Sequence, residues 1–218
     1  MSWCEADLSL FLILLGGEIT ATPRLLRQIS GARVIAADSG MRHVAELGVE
    51  PELWVGDFDS SEAALQARYA HVPRLKFPSD KATTDGDLAI DEALRRGATR
   101  LVLAGGLGGP RSDHAAHHQM KMLALAEAGI DVFLTSGDEE AWPLLPGRRE
   151  FDFAPGAVFS VVPIAPLRGL TVRQVKWELA EQDVPFGSSL TLSNVAQSAP
   201  IIELAHGKAI VFANISIR

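Results

Sequence analysis

Two carboxylates two residues apart end a short apolar run, Leu53-Trp54-Val55-Gly56-Asp57-Phe58-Asp59-Ser60. The run reads as a strand stopped by a glycine. Side chains on extended chain alternate, so Asp57 and Asp59 share one face while Phe58 turns back into the protein. Acids at the carboxyl edge of a parallel sheet face a ligand crevice and not a core. Two hard oxygen donors in one small volume suit Mg²⁺, which takes one or two protein carboxylates and fills its other positions with water and substrate phosphates. Gly, Asp and Ser also build ordinary turns, so the stretch takes its meaning from what accompanies it.

Two further stretches carry compatible chemistry. The polar loop Pro78 to Asp87 runs into the apolar-periodic Leu88, Ile90, Ala93 and Leu94. Thr84 with Asp87 three residues on forms a variant capping box, which puts Asp85 in a first helical turn, where the helix dipole favours an anion or a phosphate-bound metal. Farther on, Gly105-Gly106-Leu107-Gly108-Gly109-Pro110-Arg111-Ser112-Asp113-His114 follows an apolar strand. Four glycines in five residues let successive backbone N–H groups face inward and let phosphate oxygens approach the chain. No Gly-Lys-Ser/Thr follows, so this is neither a Walker loop nor a GxGxxG. Arg111 offers a rigid fork for phosphate, and Asp113 beside it could orient that fork or join a metal shell. His114 and His118 are spaced to share a zinc on a helix, but the glutamate of an HExxH site and a third ligand are absent. They read instead as solvent- or substrate-facing.

The elements that must hold these residues alternate short apolar runs with amphipathic segments, the signature of parallel strands joined by crossover helices. Strands are expected at Leu8 to Leu15, Arg33 to Ala37, Leu53 to Gly56, Arg74 to Phe77, Leu101 to Ala104 and Ile130 to Thr135. Thr22-Pro23 starts the first helix, Ser60 or Ser61 caps a later one, and Gly31 and Gly48 are stops. The second strand ends in Asp38-Ser39-Gly40, again an acid at a carboxyl end. From Trp142 on the helical period vanishes, and short strands with turn signals suggest an antiparallel sandwich, including Ser188 to Leu192 as one strand. The expected layout is an α/β domain with a mostly parallel, Rossmann-like sheet over residues 1–138, then an all-β sandwich domain over 139–218.

Composition narrows the partners. A formal net charge of −7 with 20 scattered Lys and Arg argues against a nucleic-acid surface and favours small molecules. One cysteine, Cys4, excludes an intramolecular disulfide framework and fits a reducing, cytoplasmic location. The run Leu8 to Leu15 is too short to span a bilayer and follows Glu5 and Asp7 where a signal peptide carries positive charge.

Asp38-Ser39-Gly40, GDFDS at 56–60, Thr84-Asp85, GGLGGPRSDH at 105–114, Gly169-Leu170-Thr171-Val172, Lys176-Trp177-Glu178-Leu179 and Ser193-Asn194, in that order, resemble the thiamine pyrophosphokinase family over nearly the whole chain. The resemblance implies transfer of a diphosphoryl group from ATP to the hydroxyl of thiamine, giving thiamine diphosphate and AMP, with Mg²⁺ and a homodimer whose sites lie between subunits. It implies that Asp57, Asp59 and Asp85 hold the metal, and that Arg111 and Asp113 act on the phosphates. Asp38, Ser60, Thr84, Gly105, Gly106, Gly108 and Gly109 would contact the nucleotide. Ser193 and Asn194 would hydrogen-bond the aminopyrimidine, with Trp177 stacked on it. Two departures bear on nucleotide contacts. The family pattern ADGGAN is here Ala37-Asp38-Ser39-Gly40-Met41-Arg42, and Pro110 interrupts the glycine loop. The rival readings are a Mg²⁺ diphosphokinase for another heterocyclic alcohol, such as a pterin, and a nucleotide or thiamine sensor without turnover.

Overall fold

The computed structural model describes residues 9–58, 63–77, 83–109 and 111–215. Asp59, Ser60 and the expected cap at Ser60 or Ser61 lie outside them, as do Cys4 and Pro110. The first half comprises β1 (Leu10–Leu14), α1 (Pro23–Gln28), β2 (Arg33–Ala37), a 3-10 turn (Asp38–His43), α2 (Val44–Leu47), β3 (Pro51–Gly56), α3 (Ala63–Arg68), β4 (Arg74–Lys76), α4 (Asp85–Arg95), β5 (Arg100–Ala104), α5 (Ser112–Glu127) and β6 (Asp131–Thr135). The second half comprises β7 (Glu139–Leu144), β8 (Gly147–Glu150), β9 (Val158–Pro163), β10 (Leu167–Val175), β11 (Leu179–Val184), β12 (Asn194–Leu204) and β13 (Ala209–Asn214).

Strands β6-β5-β1-β2-β3-β4 are parallel neighbours in that order. β1, the sequence LFLIL, is buried along its whole length, as a central parallel strand covered on both faces must be. Alternate residues feed two layers. Phe11, Ile13, Ile35 and Val55 pack with Ala89, Ile90 and Ala93 of α4 and with Met122 and Leu125 of α5. Leu12, Leu14 and Trp54 pack on the other face with Leu25 of α1 and Val44 and Leu47 of α2. Thr22 caps α1 by accepting from the Leu25 N–H, with Pro23 in the first turn, and Gly48 closes α2 at φ 63, as their residue types predict.

Past β6 the sheet continues without a break and its strands become antiparallel. β7 pairs with β6 and β13, β13 with β9, β9 with β12, and β12 with β10 and β8. The protein is thus a mixed sheet, parallel in its first half and antiparallel in its β-rich second half. A third apolar cluster, with Phe151, Phe153, Phe159, Leu170 and Ile202, fills the second half. The two halves are fastened by Glu140, which is 1 % exposed and accepts from Arg24 of α1 (2.7 and 3.2 Å), Gln28 (2.7 Å) and the Trp142 indole N–H (2.9 Å).

Three local expectations need correction. Ser188 to Leu192 is not a strand but a turn, and Leu190 and Leu192 are apolar because they wall a cavity. Leu179–Val184 is a strand that its mostly exposed, polar sequence concealed, because it pairs with β10 alone. At the GDFDS stretch the chain turns: Phe58 has φ 65, so strand alternation ends before it. Phe58 does bury itself, edge-on to Trp54 at 5.0 Å, but the argument that extended chain aims Asp57 and Asp59 together does not hold.

Candidate active site

The parallel order contains one reversal. From β1 the chain steps outward through β2, β3 and β4, then returns to the other side of β1 as β5 and β6. Ligands in open α/β sheets collect where the order reverses, here between the carboxyl ends of β1 and β5. Two glycine turns meet there. The Gly17 N–H donates to the Gly105 carbonyl (2.9 Å), and a Cβ on Gly17 would stand 2.3 Å from that oxygen, so only glycine fits. Gly105 adopts φ 80. Arg42 donates to the Gly16 and Gly17 carbonyls (2.6 and 3.2 Å). The buried His43 places Nε2 2.8 Å from the same Gly17 oxygen, and since a carbonyl only accepts, Nε2 carries the proton.

These turns border a cavity of about 280 Å³, lined by Gly16, Gly17, Asp38, Ser39, Thr84, Asp85, Gly105, Gly108, Arg111, His114 and His118. Four of the expected nucleotide residues thus converge, Asp38, Thr84, Gly105 and Gly108, together with Asp85 of the expected metal set and Arg111. Gly106 and Gly109 are not in the wall. Gly106 is a packing glycine, since a Cβ there would lie 2.4 Å from Leu134 Cδ2. Gly16, Gly17, Arg42 and His43 were not singled out as site residues, whereas His114 and His118, read as solvent- or substrate-facing, do line the cavity. Only the Gly16-Gly17 pair after a strand could have signalled them.

The acids arrive by different routes. Thr84 caps α4, accepting from the Asp87 N–H (3.1 Å) and donating to Asp87 Oδ2 (2.9 Å), which leaves Asp85 in the first turn against the cavity. Asp38 sits in the left-handed region at φ 43, its carbonyl fixed by the Trp54 indole N–H (2.9 Å). Half-buried Asp57 follows Gly56, where a Cβ would come within 3.4 Å of Asp38 Cα, so the β2 and β3 ends run close together. Asp57 itself does not line the cavity. Among the described residues no three acids, histidines or cysteines form a ready metal cage, and Asp59 lies outside them. Asp38 and Asp85, two hard donors beside a glycine cradle, fit an ion that shares its shell with water and phosphate.

Arg111 grips Asp113 in a two-point ion pair (2.9 and 2.7 Å), with both side chains mostly exposed. That guanidinium holds the Asp113 carboxyl well below the usual carboxylate range. Burial opposes ionisation of Asp87, yet hydrogen bonds from Thr84 and His117 (2.8 Å) and the charge of Lys121 (3.3 Å) outweigh it and hold its pKa low. Burial lowers the pKa of His118, with His117 adding to the effect, so this wall residue stays neutral near pH 7. The His114 and His118 rings lie 6.4 Å apart.

A second cavity of about 340 Å³ lies in the antiparallel half, walled by Phe159, Val161, Val172, Trp177, Leu179, Leu190, Thr191, Leu192, Ser193 and Asn194. It shares no residue with the first. Trp177 is 53 % exposed, so it is not core packing, and Phe186, Leu190 and Leu192 are exposed nearby in the chain. Ser193 takes φ 58, with its N–H donating to Ser160 Oγ (2.9 Å). Asn194 is buried and its carboxamide engages the Trp177 backbone. The sequence expectation thus brings Trp177, Ser193 and Asn194 to one pocket.

Residues 28–134 match the family model for the thiamin pyrophosphokinase catalytic domain, and residues 148–208 match that for the thiamin pyrophosphokinase vitamin B1 binding domain. Comparison with the sequences of curated proteins finds no match. Among solved structures, thiamine pyrophosphokinase from Bacillus subtilis superposes with a TM-score of 0.80 at 22% identity, covering 95% of this chain and 100% of its own. The Geobacillus thermodenitrificans thiamin pyrophosphokinase gives 0.80 at 23% identity, over 95% and 98%. The Candida albicans one gives 0.81 at 14% identity, over 97% and 90%. These likenesses establish the fold, and the two family models, adjacent and in order, span most of the chain. The chain belongs to the thiamin pyrophosphokinase family.

Proposed function

We propose that the crevice between β1 and β5 holds ATP and that the pocket beside Trp177 holds thiamine, so that the chain performs its family's reaction, ATP and thiamine to AMP and thiamine diphosphate. The observation that carries this reading is the pairing of two unlike cavities. One is a glycine cradle with carboxylates and an arginine; the other is an apolar slot with one indole wall, in the half that matches the vitamin B1 binding model.

Phosphoryl chemistry asks mainly for positioning and charge stabilisation, which suits a site without a covalent nucleophile. The backbone amides of the two glycine turns and Arg111 bind and orient phosphate oxygens. Asp38, Asp57, Asp59 and Asp85 are the proposed Mg²⁺ ligands. When bound, Mg²⁺ supplies charge neutralisation on the transferring group. The thiamine hydroxyl attacks the β-phosphorus and AMP leaves. Asp59 and Asp113 are the candidate proton acceptors, and Asp113, held ionised by Arg111, is a poor one while that ion pair persists.

We also propose a homodimer, in which the substrate half of one subunit faces the nucleotide half of its mate, with a domain division near residue 138 and a cytoplasmic location. The separateness of the two cavities and the exposed Trp177, Leu190 and Leu192 support it. Mixing an Asp57→Asn chain with a Trp177→Ala chain should then restore about a quarter of wild-type activity through hybrid sites. Product analysis tests the function directly. ATP, Mg²⁺ and thiamine should yield AMP and thiamine diphosphate in equal amounts, and ADP with thiamine monophosphate would overturn the reading.

A further inference from the structure

The turn that carries Trp177 has little packing to hold it. Its indole is half exposed, and Gln174 opens the turn in the left-handed region at φ 64, where the β10 to β12 ladder slips register between Arg173 and Val175. Polar contacts replace the lost ladder. Asn194 Oδ1 accepts from the Trp177 N–H at 3.1 Å, and Asn194 Nδ2 donates to the Trp177 carbonyl at 2.8 Å, so one carboxamide satisfies both backbone groups of that residue. The same Oδ1 accepts from the Val195 N–H at 2.9 Å. Two donors saturate an amide oxygen, which leaves Asn194 no acceptor for the amino group of an aminopyrimidine and only one N–H to spare. Glu178 braces the turn from within, accepting from the Gln174 N–H at 2.8 Å, and the Lys176 ammonium stands 4.5 Å from the indole centroid. Lys176 is not part of the pocket wall.

We propose that Asn194 is a positioning residue that acts through Trp177: it sets the height and tilt of the indole against which thiamine stacks, and does not recognise the substrate by its own carbonyl. This rests on the reading of that pocket as the thiamine site. Asn194 lies in the pocket wall but is only 8 % exposed, so little of it faces a ligand.

A double-mutant cycle on the full-length protein tests it, with KM for thiamine, KM for ATP and kcat measured for each variant. Asn194→Ala should raise the thiamine KM about tenfold, the equivalent of one or two lost hydrogen bonds, with kcat and the ATP KM unmoved. Trp177→Ala should raise it at least as much, and the double variant should be no worse than Trp177→Ala alone. Asn194→Asp, which keeps the acceptor for both N–H groups but sets a carboxylate oxygen against the Trp177 carbonyl, should raise the thiamine KM at least as much as Asn194→Ala. It replaces Asn194→Ala in the cycle if the alanine variant does not fold. A double variant that is weaker again by about tenfold would mean direct contact and overturn the proposal while leaving the pocket reading intact. A Trp177→Ala chain with unchanged thiamine KM would overturn both.

Discussion

The two halves of the sheet build their cavities by opposite means. In the parallel half the crevice is backbone and charge: glycine turns at the carboxyl ends of β1 and β5, with acids delivered by a left-handed residue, Asp38, and a helix start, Asp85. In the antiparallel half the pocket is side chains on strand faces, an indole and aliphatic walls with few polar groups. The first arrangement recognises a polyanion, whose many oxygens can meet many N–H groups; the second recognises a flat ring, whose area must be taken from water. The loss caused by a substitution should therefore differ in kind between halves, showing in turnover in the first and in substrate affinity in the second.

The largest effect belongs to the charged half. Asp57→Asn removes a negative charge beside the β2 and β3 ends and no packing volume, so kcat should fall on the order of a thousandfold. The melting temperature should hardly move, since a half-exposed isosteric change costs within about 0.5 kcal/mol. Near-normal turnover at saturating Mg²⁺ would remove Asp57 from the reaction.

The junction should behave as neither half does. Glu140→Ala leaves Arg24 and Gln28 of α1 and the Trp142 indole without their buried acceptor, and breaking such a set from one side costs about 3 kcal/mol. Urea unfolding should move to a lower midpoint, while KM for both substrates stays unchanged in protein that remains folded. A shifted KM for one substrate alone would mean that the junction sets the geometry of that cavity.

Trp177→Ala comes next, weakening thiamine binding by about 1 to 3 kcal/mol with ATP affinity unchanged, because the lost face serves one substrate. Calorimetric titration of each substrate separates this from a general loss. Equal losses for both would return Trp177 to a structural role.

What the sequence disclosed follows the same division. Apolar runs and caps located the parallel half closely, because buried strands such as LFLIL and the Thr84 cap depend on local chemistry. The glycine-rich stretch after β5 pointed to the crevice, but its partner after β1 did not, because the contact between Gly17 and Gly105 spans 88 residues and appears only once the strands are neighbours. In the second half, edge strand β11 was hidden by its polarity, and Leu190 and Leu192 looked like a strand because a pocket wall and a strand face ask for the same side chains. Left-handed Phe58 and Ser193 were invisible to pattern, since neither is glycine and each is held by contacts from elsewhere.

The smallest expected effect lies in the pH dependence of stability, and it again separates the halves, because both histidines with lowered pKa, buried His43 and half-buried His118, belong to the parallel one. Burial is the leading cause for His43 and for His118, so each titrates below its ordinary value of 6.5 in the folded chain and near it in the unfolded chain. Between those values the unfolded state binds more protons, so stability rises with pH there. The contribution is fully present above about 6.5 and is lost as pH falls through 6.5 toward the folded values. Glu139, whose pKa burial raises, works in the opposite direction from about 4.5 upward, so the net slope is shallow. Melting curves between pH 5 and 8 should show stability declining on the acid side, and His118→Asn should flatten that decline while Trp177→Ala leaves it as it was. A decline that is undiminished in a chain carrying both His118→Asn and His43→Asn would mean that neither imidazole is held neutral in the folded protein.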